Sequence, residues 1–207
     1  MKETGIIMSG DHPRLILEGK KTITRRTWGL KKINKDPDRY FDPDVYQSVI
    51  GAWFAWFGDK KSDSPVIVKC PYGGVGDRLW TKETLYRNPY FDEAGYLIDN
   101  TPVMINSTIG DMLKWRWKKD ILPAMFMPKE TSRILPEITE LRAERLQEIT
   151  PADCIAEGIA TSVSCDAELQ LRYRNLWDSL NSKKGHGWDK NDWVWAIGFR
   201  PVAPQGY

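Results

Sequence analysis

Residues 19–26 read GKKTITRR: Lys20, Lys21, Arg25 and Arg26 surround Thr22 and Thr24 directly after a glycine. A hydroxyl is a weak nucleophile until a base takes its proton, and a lysine acts as a base only when neutral. Burial and neighbouring cations both disfavour the ammonium form and lower a lysine pKa. The cluster therefore reads in two ways. It is a solvated basic strand, or a site at which a lysine is held ready to lose its proton.

A second cationic stretch, MLKWRWKKD, alternates Trp115 and Trp117 with Lys114, Arg116 and Lys118. In a strand this pattern places indoles on one face and cations on the other. Such a ribbon touches nucleic acid, or it packs its tryptophans inward and leaves the cations wet. The glycine run in PYGGVGD lacks the spacing of a phosphate-binding loop, and no helix signal follows it. The three cysteines (Cys70, Cys154, Cys165) form no CxxC pair, and His12 and His186 are the only histidines. That argues against a disulfide framework, a zinc site and a Ser-His catalytic pair, and no metal or cofactor is expected.

Composition sets the frame for these residues. At 207 residues, 41% hydrophobic and 28% charged, the chain suits a globular protein with a core. Net charge is +2, but residues 1–35 hold nine Lys/Arg against three acids. A local basic patch follows, facing a phosphate-bearing partner or simply solvent. No apolar run reaches membrane length, and the N-terminus lacks a secretory pattern, so a cytoplasmic protein is expected.

The elements that must hold the cluster are short. GIIM reads as a strand. DHPRLILE reads as a helix with Asp11 as cap, Pro13 in the first turn and Gly19 as stop. TITRRTW is β-branched and reads as a strand. Residues 29–65 and 86–130 read as irregular insertions, the first with a buried aromatic patch. SPVIVKC and the stretch after the glycine run read as strands. Residues 131–149 are ambiguous: propensity favours a helix from Glu137, while Pro136 allows a bulged strand. TPADCIAEG is a helix with Thr150 as N-cap, Pro151 at N1, Asp153 at N3 and Gly158 as stop. From Asp166, the positions Leu169, Tyr173, Leu176, Trp177 and Leu180 follow helical spacing. WVWAIGFRPV closes the chain as a strand with Trp193, Trp195, Ile197 and Phe199 on one face.

GKKTITRR matches a G-x-K-x-x-T-x-R signature and resembles the ASCH superfamily, whose barrel is related to the PUA RNA-binding fold. GDRLWTKET, MPKETSRILPEITELRAERLQEIT, AEGI, LWDSLN and WVWAIGFRPV resemble, in order, segments of a phage and prophage ASCH-like family. The resemblance covers nearly the whole chain outside the two insertions. It implies an α+β fold: one domain over residues 1–207, a small mixed β-barrel of PUA/ASCH type with peripheral helices. It also makes the segment around 131–146 mostly strand.

Some small bacterial ASCH proteins are amidohydrolases that remove the acetyl group of N4-acetylcytidine. Their lysine and threonine correspond to Lys21 and Thr24, and LQEITPADCIAEG places their glutamate at Glu157. The implied roles are Lys21 as base, Thr24 as nucleophile and Glu157 as proton handler, without a metal. Residues 21 and 24 of a regular strand face opposite ways, so they converge only if Lys21 sits in the turn after Gly19 or at a bulge. Arg26, Lys20, Arg25, Glu83, Tyr72 and Trp80 are the expected substrate-side residues. Arg26 would meet a phosphate or a cytosine carbonyl. Glu83 would pair Lys21 or Arg26, and Tyr72 and Trp80 would stack on a base. The sequence departs from the small hydrolases in its two insertions and in Arg25, where they carry an apolar residue. Two further functions remain open. One is a non-catalytic RNA- or DNA-binding module using Lys20, Lys21, Arg25, Arg26 and residues 114–118. The other is a nuclease. The partner is a modified nucleoside or a nucleic acid, not a membrane. Oligomeric state is not readable.

Overall fold

The computed structural model describes residues 1–106, 111–160 and 165–200. The chain is α+β, with many short strands and few helices. Among the described residues the strand pairings do not close into a barrel. No described helix is long and apolar enough to cross a membrane.

The chain falls into two compact units. The first comprises Met1–Gly19, Asp77–Glu137 and the C-terminal segment from Arg200. Its strand Glu3–Ile7 runs parallel to Arg78–Lys82. Leu85–Asn88 pairs antiparallel with Glu93–Tyr96 and Ile121–Leu122. Leu85, Ala94, Tyr96, Val103, Leu113, Trp115, Leu122 and Met127 form a core under these strands. The described residues of the expected insertion at 86–130 thus pack on an apolar cluster of their own. Trp115 is buried there, and Trp117 packs edge-on against it at 4.8 Å. Both indoles lie on the core side while Lys114, Arg116 and Lys118 are exposed, the inward-packed alternative; the segment is not a regular strand, and Lys114 pairs with Glu93 at 3.0 Å and donates to Phe91 O at 3.4 Å. The helix His12–Leu17 forms as expected, but Asp11 makes no side-chain cap and instead accepts from Arg14 at 3.1 Å.

The second unit comprises Lys20–Gly76 and Ile138–Phe199. Ile23–Arg26 lies antiparallel to Trp193–Arg200, with Thr24 opposite Ile197, Arg25 opposite Ala196 and Arg26 opposite Trp195. The strand Glu137–Arg145 flanks Trp193–Arg200 on the other side. Sheet pairing overrides the helical propensity of ELRAER. Residues 40–69 form an antiparallel sheet of Tyr40–Gln47, Trp53–Asp59 and Ser62–Lys69: the first two strands fall in the stretch expected to be irregular, and the third corresponds to the strand expected at SPVIVKC. A register shift between Phe41 and Asp44 hides the two-residue period of the first. Two helices, Pro151–Ala156 and Asp166–Asn181, share a core of Leu146, Ile149, Cys154, Leu169, Tyr173, Trp177, Trp188 and Val194.

Alternation along the paired strands then divides their side chains. Val194, Ala196, Ile23 and Arg25 look toward the helices. Thr24, Arg26, Trp195 and Ile197 share the opposite face.

Candidate functional site

Lys21 stands between the turn at Gly19, whose φ is +68°, and the strand that begins at Ile23. The alternation rule for strands therefore does not bind it. Its neighbour Thr22 is pinned on both sides: its N–H donates to Ala156 O at 2.8 Å, and its carbonyl accepts from Phe199 N at 2.8 Å. The segment is tied at once to the end of the helix Pro151–Ala156 and to the last strand. Those ties bring Lys21 and Glu157 together across the sequence.

Lys21 is 0% exposed and Glu157 3% exposed. Lys21 Nζ donates to Glu157 Oε2 at 2.5 Å and to the Glu157 carbonyl at 2.8 Å. Glu157 is the C-cap residue, and Gly158, with φ +96°, ends the helix. A carboxylate at a helix C-terminus opposes the helix dipole. Here the neighbouring cations offset that cost. Burial, the largest cause, pulls the Lys21 pKa below its ordinary value. Glu157 opposes this by charge and hydrogen bond, and Arg26 and Arg25 add smaller downward pushes. The cation crowding of the sequence therefore contributes, but burial dominates.

The second partner of Glu157 is Arg25. Its Nη1 lies 3.4 Å from Glu157 Oε1, its Nη2 donates to Asp153 Oδ2 at 2.6 Å, and its Nε donates to Glu144 Oε1 at 2.8 Å. Arg142 binds the same two acids from their other side, Nε to Glu144 at 3.0 Å and Nη2 to Asp153 at 3.0 Å. Tyr173 donates to Glu157 Oε1 at 3.4 Å, and burial holds its phenol well above the ordinary range. Burial alone would lower the Arg25 pKa, yet the carboxylates prevail and raise it. Lys21, Arg25 and Arg142 thus face Glu144, Asp153 and Glu157 in one ionic network, and Arg142 also binds Glu140 at its exposed edge.

Four residues at this network lie outside the sequence reading of the site: Asp153, Glu144, Arg142 and Tyr173. Asp153 was taken only as an N3 helix residue, although it precedes Glu157 by four and so shares its helix face. Glu144 and Arg142 lay in the ambiguous segment, and their two-residue spacing places them on one strand face only once strand is chosen. Tyr173 was read only as helical core.

The remaining expected site residues are placed as follows. Thr24 is buried and leaves its strand on the face away from Arg25. Arg26 shares that face and is half-buried. Tyr72 is 6% exposed; burial pushes its phenol up to about 12, with Arg26 pulling the other way. Lys20 is exposed. Arg25, expected on the substrate side, is instead enclosed among carboxylates. Glu83 and Trp80 belong to the first unit. Both oxygens of Glu83 are taken by Arg133, at 3.0 and 2.8 Å. Trp80 lies against Gly5, with Lys82 Nζ over its ring at 4.7 Å. Among the described residues, no group of three or more His, Cys, Asp or Glu side chains is placed to hold a metal ion.

No known family profile matches the sequence, and no curated protein matches it. Among solved structures, the chain is similar to the high-resolution crystal structure of an ASCH domain from Lactobacillus crispatus JV V101. The two are 11% identical, with a TM-score of 0.41, over 97% of this chain and 79% of that one.

Proposed function

We propose that the chain is an ASCH-type amidohydrolase of the phage and prophage kind, acting without a metal on an N4-acylated cytosine nucleoside or base. One observation carries this reading. Lys21 and Glu157, 136 positions apart in sequence, meet in the interior at 2.5 Å, and the lysine pKa is lowered. A buried lysine whose pKa is lowered, hydrogen-bonded to a carboxylate, suits a base that must take and return a proton.

In this scheme neutral Lys21 accepts the Thr24 Oγ proton as Oγ bonds to the acyl carbon. The bond from that carbon to N4 breaks, and the leaving amine takes the proton back by way of Glu157. Water, deprotonated by Lys21, then attacks the acyl carbon; the bond to Thr24 Oγ breaks and Oγ takes the proton back from Lys21, releasing the carboxylic acid and restoring Thr24 and neutral Lys21. Arg26, on the face of Thr24, is the cation available to the developing oxyanion or to the C2 carbonyl of the base. Tyr72 is near enough to feel the charge of Arg26. Arg25 holds Glu157 in place and contacts no substrate.

The burial of Lys21 and Arg25 among carboxylates favours this reading over a module whose phosphate contacts would include both. The test is chromatographic. Wild-type protein and the variants Lys21→Ala and Thr24→Ala are incubated with N4-acetylcytidine, and cytidine is measured. Turnover that disappears in both variants upholds the reading. A wild type as inert as the variants rejects N4-acetylcytidine, and a Thr24→Ala protein that still turns over rejects Thr24 as nucleophile.

A further inference from the structure

The turn that follows the Thr24 strand presents an indole that the catalytic scheme does not use. Leu30 N–H donates to Thr27 O at 3.0 Å, closing a turn over Thr27–Leu30, and Gly29 has φ +90°. A glycine with positive φ at the third position suits a type II turn, which places Trp28 at the second position, on its outer corner. The turn is held from below. Leu30 and Ile33 are fully buried, and Asn34 N–H donates to Leu30 O at 2.9 Å. It is also held from the side: a Cβ on Gly29 would lie 3.0 Å from Pro71 Cδ, a tight contact that adds to the preference for glycine set by its positive φ.

Trp28 itself is 63% exposed. A lone exposed apolar residue needs no explanation. This one has specific neighbours. Its ring stands edge-on to Tyr72, centroids 5.6 Å apart at 79°. Tyr72 feels the charge of Arg26, and Arg26 shares a strand face with Thr24. Four side chains of differing chemistry are therefore gathered at one strand end: a hydroxyl, a guanidinium, a phenol and a largely exposed indole. An exposed aromatic ring fixed on a rigid turn accepts a flat heteroaromatic ring, and stacking of this kind is tolerant of the base offered. An adjacent guanidinium supplies a donor to a ring carbonyl.

We infer that Trp28 is the base-stacking residue of this site, binding the pyrimidine ring of the substrate against its indole face with Tyr72 behind it and Arg26 at the ring edge. Trp28 is a positioning residue: it holds the base while the acyl group meets Thr24. The inference deepens the hydrolase reading and rests on it for the choice of ligand, but its test does not require turnover.

The experiment is calorimetric titration of wild type, Trp28→Ala and Trp28→Phe with cytidine, N4-acetylcytidine and, as a ligand lacking the base, ribose. Cytidine and N4-acetylcytidine should bind wild type, lose about tenfold or more in affinity in Trp28→Ala, and recover most of it in Trp28→Phe. Ribose should bind none of the three appreciably. Trp28 is exposed, so the variants should keep the wild-type melting temperature, which is measured in parallel. If the protein turns over N4-acetylcytidine, Trp28→Ala should raise KM far more than it lowers kcat. Base binding that depends on Trp28 without any turnover would uphold the stacking role and reject N4-acetylcytidine as the substrate. Equal affinity in wild type and Trp28→Ala would overturn the inference. So would a wild type that binds neither nucleoside but binds single-stranded RNA.

Discussion

Lys21 Nζ lies 2.5 Å from Glu157 Oε2, and both side chains are almost wholly withdrawn from water. Burial wins over the carboxylate, so the folded protein binds the lysine proton less tightly than the unfolded chain does. Between the lowered value and the ordinary one, about 10.4, the unfolded state carries more protons, and stability rises with pH through that window. Wild type should therefore gain stability relative to Lys21→Met as pH rises through the alkaline range. Urea unfolding of the two proteins at stepped pH checks this. A difference that stays flat or shrinks would show that Lys21 keeps its full charge inside the protein.

The same balance predicts the behaviour of a Glu157→Gln variant. The carboxylate is the chief influence raising the Lys21 pKa against burial. Its removal leaves burial, Arg26 and Arg25 all pushing downward. The ascending limb of the pH–rate profile, which reports loss of the lysine proton, should shift toward lower pH. The plateau should fall by about 10²–10⁴, the range for loss of a group that transfers a proton in the transition state. A limb displaced upward would mean that Glu157 does not govern the charge of Lys21.

Arg25 carries a structural prediction. Its side chain is enclosed, with Glu144, Asp153 and Glu157 arranged around it. Removing one partner of a buried ionic network strands the others, at a cost of about 3–5 kcal/mol. Arg25→Met should lose about that much in chemical denaturation. Lys20→Ala, next to Lys21 in sequence but exposed, should stay within about 0.5 kcal/mol of wild type. Similar losses for the two would contradict the division of the basic cluster into buried and solvated halves.

That division explains what the sequence could and could not convey. Lys21 and Glu157 were accessible through a resemblance that fixed their types and order. The turn at Gly19, needed for Lys21 to escape strand alternation, was readable from the glycine itself. The acids that neutralise Arg25 were not. Glu144 sits where helix propensity and sheet pairing conflict, and only the neighbouring strand Trp193–Arg200 decides between them. In the segment 40–69, the bulge after Phe41 and the left-handed Asp42 break the alternation that would announce a strand. Phe41 also needs Gly58 beneath its ring, where a Cβ would lie 2.6 Å away, so a residue that weakens strand propensity is there for packing. The misses have two causes: a deciding partner far away in sequence, as for Glu144, and a local bulge that breaks the strand period, as after Phe41.

The cysteines provide a separate check on how the helices close over the network. Cys154 lies in the helix Pro151–Ala156, fully buried, and burial is the main reason its thiol is pushed up to about 11. Arg25 draws the value down, and Glu157 and Asp153 draw it up. Cys70 is buried and Cys165 exposed. Thiolate is the reactive form, and access to reagent is required as well. Iodoacetamide at neutral pH should therefore label native protein at Cys165 alone, with Cys70 and Cys154 reacting only on unfolding. Mass spectrometry of digested, labelled protein reads this site by site. Cys154 becoming reactive in Arg25→Met, while Cys70 stays protected, would show that the ionic network holds this helix against the sheet. Labelling of Cys154 in native wild type would mean that the helix does not seal the interior around Lys21.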